Sequence, residues 1–275
     1  MVHYYCNLLD TESDFLNQRT LNGYIITLYP IRKELTMSKI AVVTGASRGI
    51  GKAIAHLLAS NGYDVHMTCY NHIEELTAYA KEWSGQYKVT CTASKVDMKD
   101  GSQVDAFFSS LKAIDLLVNN AGISKVGLLT DLSVEDWHLV MDTNISSMFY
   151  TCRRAIPLML QKHSGHIINI SSIWGNAGAS AEVAYSASKG AVNSFTRALG
   201  KELAPSNIQV NAIACGCIDT QMNACFTQED RDALAEEIPA GRFGKAEEVA
   251  HLAFQLAEGN SYLNGQVITL DGGWI

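Results

Sequence analysis

From Lys39 onward the sequence alternates between short apolar runs, typical of strands, and longer segments with helical spacing. The apolar runs are nearly continuous, which is the pattern of strands covered on both faces. This alternation predicts an α/β fold with a mostly parallel sheet and helices on both sides. We place strands at residues 40–44, 65–69, 89–93, 115–118, 166–170, 209–213 and 266–270, and helices at 50–60, 73–83, 103–111, 134–162 (bent near Asn144), 183–203 and 246–257.

The N-terminal segment lacks this pattern, because an Asn-Gly pair and a proline interrupt it and no helical period persists. We therefore expect residues 37–275 to form a single domain, with Met37 as a candidate start of translation. Residues 1–36 are expected to be an upstream translation artefact or a loosely packed extension. The alternative is an extra strand or a partner-binding arm through Tyr24 to Tyr29.

Composition narrows the class of protein. Hydrophobic residues make up 47% and charged residues 18% of the 275, which excludes a disordered chain. The net charge of −7, without a Lys/Arg-rich run, argues against nucleic acid as a partner. No apolar stretch reaches the roughly 20 residues that span a bilayer, and the N-terminus lacks a secretion signal. The cysteines form no CxxC pair and the histidines no zinc spacing, so we expect reduced thiols, a cytoplasmic location and no metal site.

A glycine-rich turn links the first predicted strand to the first helix, with the sequence Thr44-Gly45-Ala46-Ser47-Arg48-Gly49-Ile50-Gly51. Glycines let the backbone turn tightly and approach a ligand closely, and the following helix N-terminus offers free N–H groups to a pyrophosphate. Because the turn lies inside a strand–helix–strand unit, we favour a dinucleotide site over a plain connecting turn.

The end of the second strand suggests which dinucleotide binds. NAD enzymes usually place an acidic residue there to bind the ribose 2′-hydroxyl. Here the segment contains no acid and has the sequence Cys69-Tyr70-Asn71-His72. Arg48 supplies a cation that could meet a 2′-phosphate, so we expect NADP(H). The alternative is that Arg48 is a solvated residue at the helix start.

Tyr185 and Lys189 lie four residues apart at the start of a predicted helix and therefore share one face. An ammonium beside a phenol stabilises the phenolate, so we expect Lys189 to lower the pKa of Tyr185. The pair alone is common and could be a surface aromatic with a helix lysine. Ser172 ends the fifth strand at the sheet edge where ligands bind in such folds, although it could simply cap a helix.

Two asparagines accompany this pair. Asn119 ends the fourth strand at the same edge, in the segment Asn119-Asn120-Ala121-Gly122. The alternative is that Asn119 is a turn residue whose amide forms its hydrogen bonds within the protein. Asn144 lies within the long helix, where its position beside apolar residues suggests that it faces inward.

Together these motifs resemble the short-chain dehydrogenase/reductase family. The glycine-rich turn, the Asn-Asn-Ala-Gly segment, Tyr185-Ser186-Ala187-Ser188-Lys189 and Asp271-Gly272-Gly273 occur in family order. Ser172 and Asn144 also stand at the family's spacing before Tyr185. The resemblance covers residues 39–274 and implies a Rossmann-type, doubly wound, parallel seven-stranded sheet, usually in a homotetramer. Cys215-Gly216 stands where the family often has Pro-Gly, which affects the rigidity of that loop.

The resemblance implies roles for named residues. Tyr185 would donate a proton to the substrate oxygen, Ser172 would hydrogen-bond that oxygen, Lys189 would bind the nicotinamide ribose, and Asn144 would hold a water that relays protons to Lys189. Residues that the resemblance places at the cofactor are Gly45, Ser47, Arg48, Gly49, Ile50, Gly51, Asn71, Asp97, Asn119, Ala121, Gly122, Tyr185, Lys189, Ile218 and Thr220. Among them, Asp97 is expected beside the adenine, Asn119 by the adenine ribose, and Ile218 and Thr220 by the nicotinamide amide.

Three functions remain open at this stage. The overall sequence is similar to reductases of 3-oxoacyl groups on acyl-carrier protein, yet His163 and Ser206 stand where those enzymes have carrier-docking arginines. Local segments, including Glu182 and Trp274, look like reductases of a 5-aminopentanone group on elongation factor P. A non-catalytic NADP-sensing protein on the same fold is the third interpretation. The substrate is therefore expected to be a small-molecule or carrier-bound ketone, or a modified protein side chain.

Overall fold

The computed structural model describes residues 18–21, 24–27, 38–224 and 226–275. The chain divides into two compact units, residues 1–37 and 38–275. In the first unit, strand β1 (Gln18–Leu21) pairs antiparallel with strand β2 (Tyr24–Thr27). β2 covers the part of the alternative N-terminal strand that lies in the described ranges, while residues 28 and 29 lie outside them. The role of this segment stays a prediction.

Seven parallel strands form the sheet of the second unit, as the sequence and the resemblance predicted. All remaining strands, in chain order, are β3 (Ile40–Val43), β4 (Asp64–Cys69), β5 (Cys91–Lys95), β6 (Leu116–Asn119), β7 (Gly165–Ser172), β8 (Ile208–Cys215), β9 (Ile218–Asp219), β10 (Gly244–Lys245) and β11 (Val267–Leu270). The order across the sheet is β11-β8-β7-β6-β3-β4-β5, and β9 pairs with β10 separately. The direction of winding reverses between β3 and β6, which opens a ligand crevice at their carboxyl ends.

Helices cover both faces of this sheet. They are α1 (Gly49–Ser60), α2 (Ile73–Tyr87), α3 (Gly101–Ser109), α4 (Val134–Met141), α5 (Ser147–Lys162), α6 (Trp174–Ala177), α7 (Val183–Leu203), α8 (Gln228–Glu237) and α9 (Ala246–Glu258). One core layer packs α1, α2 and α9 against the sheet, and a second layer packs α3, α5 and α7 against the opposite face. Burial of both faces explains the continuous apolar strands.

The long helix predicted at 134–162 is divided. A π-helical turn, Asp142–Ser146, separates α4 from α5 and contains Asn144, the position near which the sequence predicts a bend. Helix α7 has the predicted bounds. β5 lies two residues later than predicted, because its mixed polar sequence lacks a clear strand pattern. α2 continues past the predicted end at residue 83 and stops only where Lys88 adopts a left-handed conformation.

No helix in the described part of the chain combines the length and apolarity that crossing a membrane requires. Within residues 38–224 and 226–275, the five cysteines are free thiols. The described residues contain no group of three or more His, Cys, Asp or Glu side chains that could hold a metal ion.

Candidate active site

The glycine-rich turn and the end of β6 pack tightly against each other. The Thr44 hydroxyl accepts hydrogen bonds from the backbone N–H groups of Asn120 and Ala121, at 3.0 and 3.1 Å. The Asn120 amide donates to the carbonyl oxygens of Thr44 and Gly45. A Cβ on Gly51 would lie 2.4 Å from the Gly45 carbonyl oxygen, so only glycine fits there. The turn is therefore held in one conformation before any ligand binds.

A cleft of about 510 Å³ opens beside this turn. Predicted cofactor residues that line it are Gly45, Ser47, Arg48, Gly49, Ile50, Asn71, Asp97, Ala121, Gly122 and Thr220. Gly45 and Gly49 both have positive φ, which turns the backbone towards the N-terminus of α1. Free N–H groups at that terminus suit a pyrophosphate. The volume and the glycine cradle both fit a dinucleotide.

Several lining residues were not predicted. Tyr70, His72 and Lys99 line the cleft, as do Gln221 and Met222. Lys99 is ion-paired with Asp97, the residue expected beside the adenine, and its ammonium lies 5.7 Å from the Tyr70 ring centroid. No sequence motif marks these residues, and the pairing of β4 with β5 brings Tyr70 and Lys99 together.

Asn119 is the clearest departure from the expected site. Its side chain is 2% exposed and faces the protein interior, not the cleft. The amide nitrogen donates to Asn169 Oδ1 at 2.9 Å, and Oδ1 accepts from the Thr151 hydroxyl at 2.7 Å. The side chain of Asn119 therefore serves the interior of the protein, and the position of this residue by the adenine ribose stays a prediction. The alternative interpretation, an amide that forms its hydrogen bonds within the protein, describes this side chain.

Ile218 and Thr220 differ in position. Thr220 lines the cleft, whereas Ile218 is 5% exposed and packs beneath Gly244. The Ile218 carbonyl accepts a hydrogen bond from the Asn223 side chain at 2.7 Å. Ile218 thus anchors the loop between β9 and α8, and its side chain is not part of the cleft wall.

Tyr185 and Lys189 lie on one face of α7, as their spacing predicted. Lys189 is 3% exposed, and its ammonium donates to the Ile170 carbonyl at 2.8 Å. The same ammonium lies 5.6 Å from the Tyr185 ring centroid. α7 packs on the end of β7, so both side chains reach the carboxyl edge of the sheet.

Electrostatics at this pair differ from the expectation. Burial raises the pKa of Tyr185 above its ordinary value, a hydrogen bond with Ser172 opposes that rise, and the nearby Cys215 and Glu182 add to it. Burial also lowers the pKa of Lys189 to about 8. The expected lowering of the Tyr185 pKa is thus not found, because desolvation of the phenol dominates. Tyr185 keeps its proton at neutral pH, which suits a proton donor.

Ser172 and Asn144 complete the group. Ser172 ends β7, is 6% exposed, and accepts a hydrogen bond from the Trp174 N–H at 3.2 Å. Asn144 is fully buried in the π-helical turn. Its carboxamide accepts from the Ile123 N–H at 2.8 Å and donates to the Ile123 carbonyl at 2.9 Å. π-Turns often occur at functional sites, since they redirect a side chain within a helix.

The buried Lys189 and Asn144 thus lie against Gly122, which lines the dinucleotide-sized cleft, although neither is itself a lining residue. Tyr185 lies beside Lys189 and is hydrogen-bonded to Ser172. A family profile described as short chain dehydrogenase matches residues 39–231. The chain belongs to the short-chain dehydrogenase family. It is an oxidoreductase with the Rossmann-type fold, and members of this family use nicotinamide cofactors.

Similar proteins in the short-chain dehydrogenase family include an uncharacterized oxidoreductase, YmfI, of Bacillus subtilis, which is 39% identical over 240 residues, covering 86% of this chain and 99% of that protein. The 3-oxoacyl-[acyl-carrier-protein] reductase FabG of Chlamydia trachomatis is 40% identical over 244 residues, covering 87% and 98%. FabG of Aquifex aeolicus is 38% identical over 240 residues, covering 86% and 96%. The matches extend over nearly the full length of each relative.

Proposed function

We propose that this protein reduces a ketone to a secondary alcohol with NADPH, acting on a 3-oxoacyl thioester or a similar substrate. The observation that carries the proposal is the juxtaposition of a protonated phenol, Tyr185, with Ser172 and with the buried Lys189, whose ammonium lies next to the cleft residue Gly122. The names of the FabG relatives support the 3-oxoacyl substrate. Oxidation of NADPH by acetoacetyl thioester is the direct assay.

Each side chain has a distinct task in this reaction. A nicotinamide cofactor held in the cleft would supply the hydride that reduces the carbonyl carbon. The Tyr185 hydroxyl gives its proton to the carbonyl oxygen, where negative charge develops, and Ser172 donates a hydrogen bond to the same oxygen. Lys189 contributes positive charge near the phenol and a donor for the nicotinamide ribose. Asn144 would hold a water that relays protons to Lys189.

Preference for NADPH over NADH is assigned to Arg48. This residue is exposed, lines the cleft and begins α1, while β4 ends without an acid. We expect Arg48→Ala to raise the KM for NADPH about tenfold or more, the cost of losing one charge-assisted hydrogen bond. KM for NADH should change little. Steady-state assays with both cofactors make the comparison.

Lys52→Ala is the matched control for Arg48, because it removes a cation one helical turn later. The Lys52 ammonium lies 3.8 Å from the Tyr79 ring centroid, and Lys52 is not among the residues that line the cleft. This variant should keep both KM values. Equal weakening of NADPH and NADH in Arg48→Ala would contradict the assigned 2′-phosphate contact.

A second candidate function, reduction of the 5-aminopentanone group on elongation factor P, is favoured by Glu182. Its carboxylate accepts a hydrogen bond from the Ser124 hydroxyl at 2.5 Å and raises the pKa of the neighbouring Tyr185. Trp174, two residues after Ser172, lies edge-on to Trp274 with centroids 5.3 Å apart. A carboxylate and aromatic faces both attract a primary ammonium. The exposed acidic residues of α8 add negative charge to the protein surface, which disfavours binding of an acidic carrier protein.

Replacing Glu182 with glutamine separates the two substrates. If the substrate carries an ammonium group, kcat/KM for the aminopentanone-modified protein should fall about fivefold, since a partly exposed ion pair contributes about 1 kcal/mol. The same variant should leave acetoacetyl thioester reduction nearly unchanged. Loss of both activities to the same degree would refute a charge-selective role, and a preference of the wild type for acetoacetyl carrier by orders of magnitude would reject this second candidate.

A non-catalytic NADP sensor is the candidate from another class. Turnover would exclude it, while intact NADPH binding without turnover of either substrate would favour it.

From the family resemblance we further propose a cytoplasmic homotetramer in which residues 37–275 form the NADP-binding domain and residues 1–36 are an extension. Light scattering of the full chain tests the tetramer.

A further inference from the structure

Ser188 lies between Tyr185 and Lys189 in sequence and has no part in the reaction described above. Its side chain is fully buried on α7. The Ser188 hydroxyl donates to the Tyr185 backbone carbonyl at 2.7 Å and accepts from the Asn144 amide nitrogen at 2.9 Å. This single hydroxyl therefore connects the helix that carries the phenol with the π-helical turn that carries Asn144.

The chemistry of these bonds fixes which way the Asn144 carboxamide faces. A backbone carbonyl can only accept, so the one proton of Ser188 is committed to Tyr185. The Ser188 oxygen can then only accept from Asn144, and it must be met by the NH₂ group and not by the amide oxygen. The Ile123 N–H fixes the oxygen end of the same carboxamide at 2.8 Å.

The orientation of the Asn144 carboxamide matters because of the groups that lie near its oxygen. A Cβ placed on Gly122 would lie 3.3 Å from Asn144 Oδ1 and 3.5 Å from Lys189 Nζ. Both polar atoms thus flank the same side of Gly122. An amide oxygen has two lone pairs, and the Ile123 N–H uses one of them. A rotated carboxamide would instead turn its NH₂ group, a donor, towards the ammonium of Lys189, which is also a donor.

We propose that Ser188 is a positioning residue, which holds the Asn144 carboxamide with its acceptor oxygen towards Lys189. The inference rests on the proposed function, because it gives that orientation a purpose in proton exchange through Lys189. Among the described residues, Asn144 is the only side-chain partner of this hydroxyl, whose other bond goes to the Tyr185 backbone, so an effect on proton exchange through Lys189 runs through Asn144.

A double-mutant cycle tests this. Ser188→Ala should lower kcat for reduction of the ketone about tenfold while leaving the KM for NADPH unchanged. In an Asn144→Ala background the same substitution should cause little further loss of kcat. A purely structural role would lower kcat by the same factor in both backgrounds, and that result would overturn the proposal. Ser186→Ala is the control: it removes a hydroxyl from the same helix that binds the Ala179 N–H at 3.0 Å, and its effect should add to that of Asn144→Ala.

Urea unfolding of the same four proteins gives a readout that needs no turnover. The shift in unfolding midpoint caused by Ser188→Ala should be smaller in the Asn144→Ala background than in the wild type, because the shared hydrogen bond is already lost. Equal shifts would overturn the proposal whatever the activity. An inactive wild type with coupled unfolding midpoints would instead count against the proposed function and leave the Ser188–Asn144 contact supported.

Discussion

Tyr185→Phe is expected to reduce the rate of ketone reduction by about 10²–10⁴-fold, the usual contribution of a positioned general acid. Phenylalanine keeps the ring, and so the contact with the Lys189 ammonium 5.6 Å from its centroid. What is lost is the proton, which the raised pKa of the partly buried phenol retains at neutral pH. Binding of NADPH should be nearly unchanged, because the cleft is lined mainly by the turn and the strand ends.

Stopped-flow turnover and fluorescence titration with NADPH measure these two quantities separately. Tyr87→Phe serves as the control, since it removes a phenol that contacts His56 at 2.8 Å on α1 and does not line the cleft. That variant should retain full activity. Comparable rates in Tyr185→Phe and the wild type would contradict the assignment of Tyr185 as proton donor.

Local patterns were sufficient to predict much of the fold. The β-strands are apolar because both faces of the sheet are covered, so their positions are visible without knowledge of the tertiary structure. α7 was predicted with its observed bounds, since a proline follows its last turn closely. The spacing of Tyr185 and Lys189 placed both on one helix face. The glycines of the turn carried enough information to locate the cleft beside α1.

Other features depend on contacts that the sequence does not display. Asn119 ends a strand at the expected edge, but its side chain is drawn inward by Asn169 and Thr151 on β7 and α5. The raised pKa of Tyr185 follows from desolvation of the phenol by its surroundings, which outweighs the opposing hydrogen bond with Ser172. Lys99 joins the cleft only through the register of β4 with β5. In each case the deciding partner lies far away in the sequence.

Gly51→Ala is expected to destabilise the phosphate-binding turn and to weaken binding of NADPH at least tenfold, or about 1.4 kcal/mol. The new Cβ would lie 2.4 Å from both the Gly45 carbonyl oxygen and the Asn120 amide nitrogen. Both atoms belong to the hydrogen bond that joins the turn to the end of β6, so the turn itself must move. Such overpacking typically costs about 1–3 kcal/mol of unfolding free energy.

Gly85→Ala makes the comparison sharp, because both substitutions replace a helical glycine by the best helix former. Alanine in a helix is favoured over glycine by about 1 kcal/mol. At Gly85, in α2, a Cβ would meet no atom within 4 Å, so this variant should be slightly more stable than the wild type and bind NADPH normally. At Gly51 the clash outweighs the same gain. Urea unfolding measures the stability of both variants, and NADPH titration measures their affinity for the cofactor. Full affinity in Gly51→Ala would mean that binding of the cofactor does not depend on the shape of this turn.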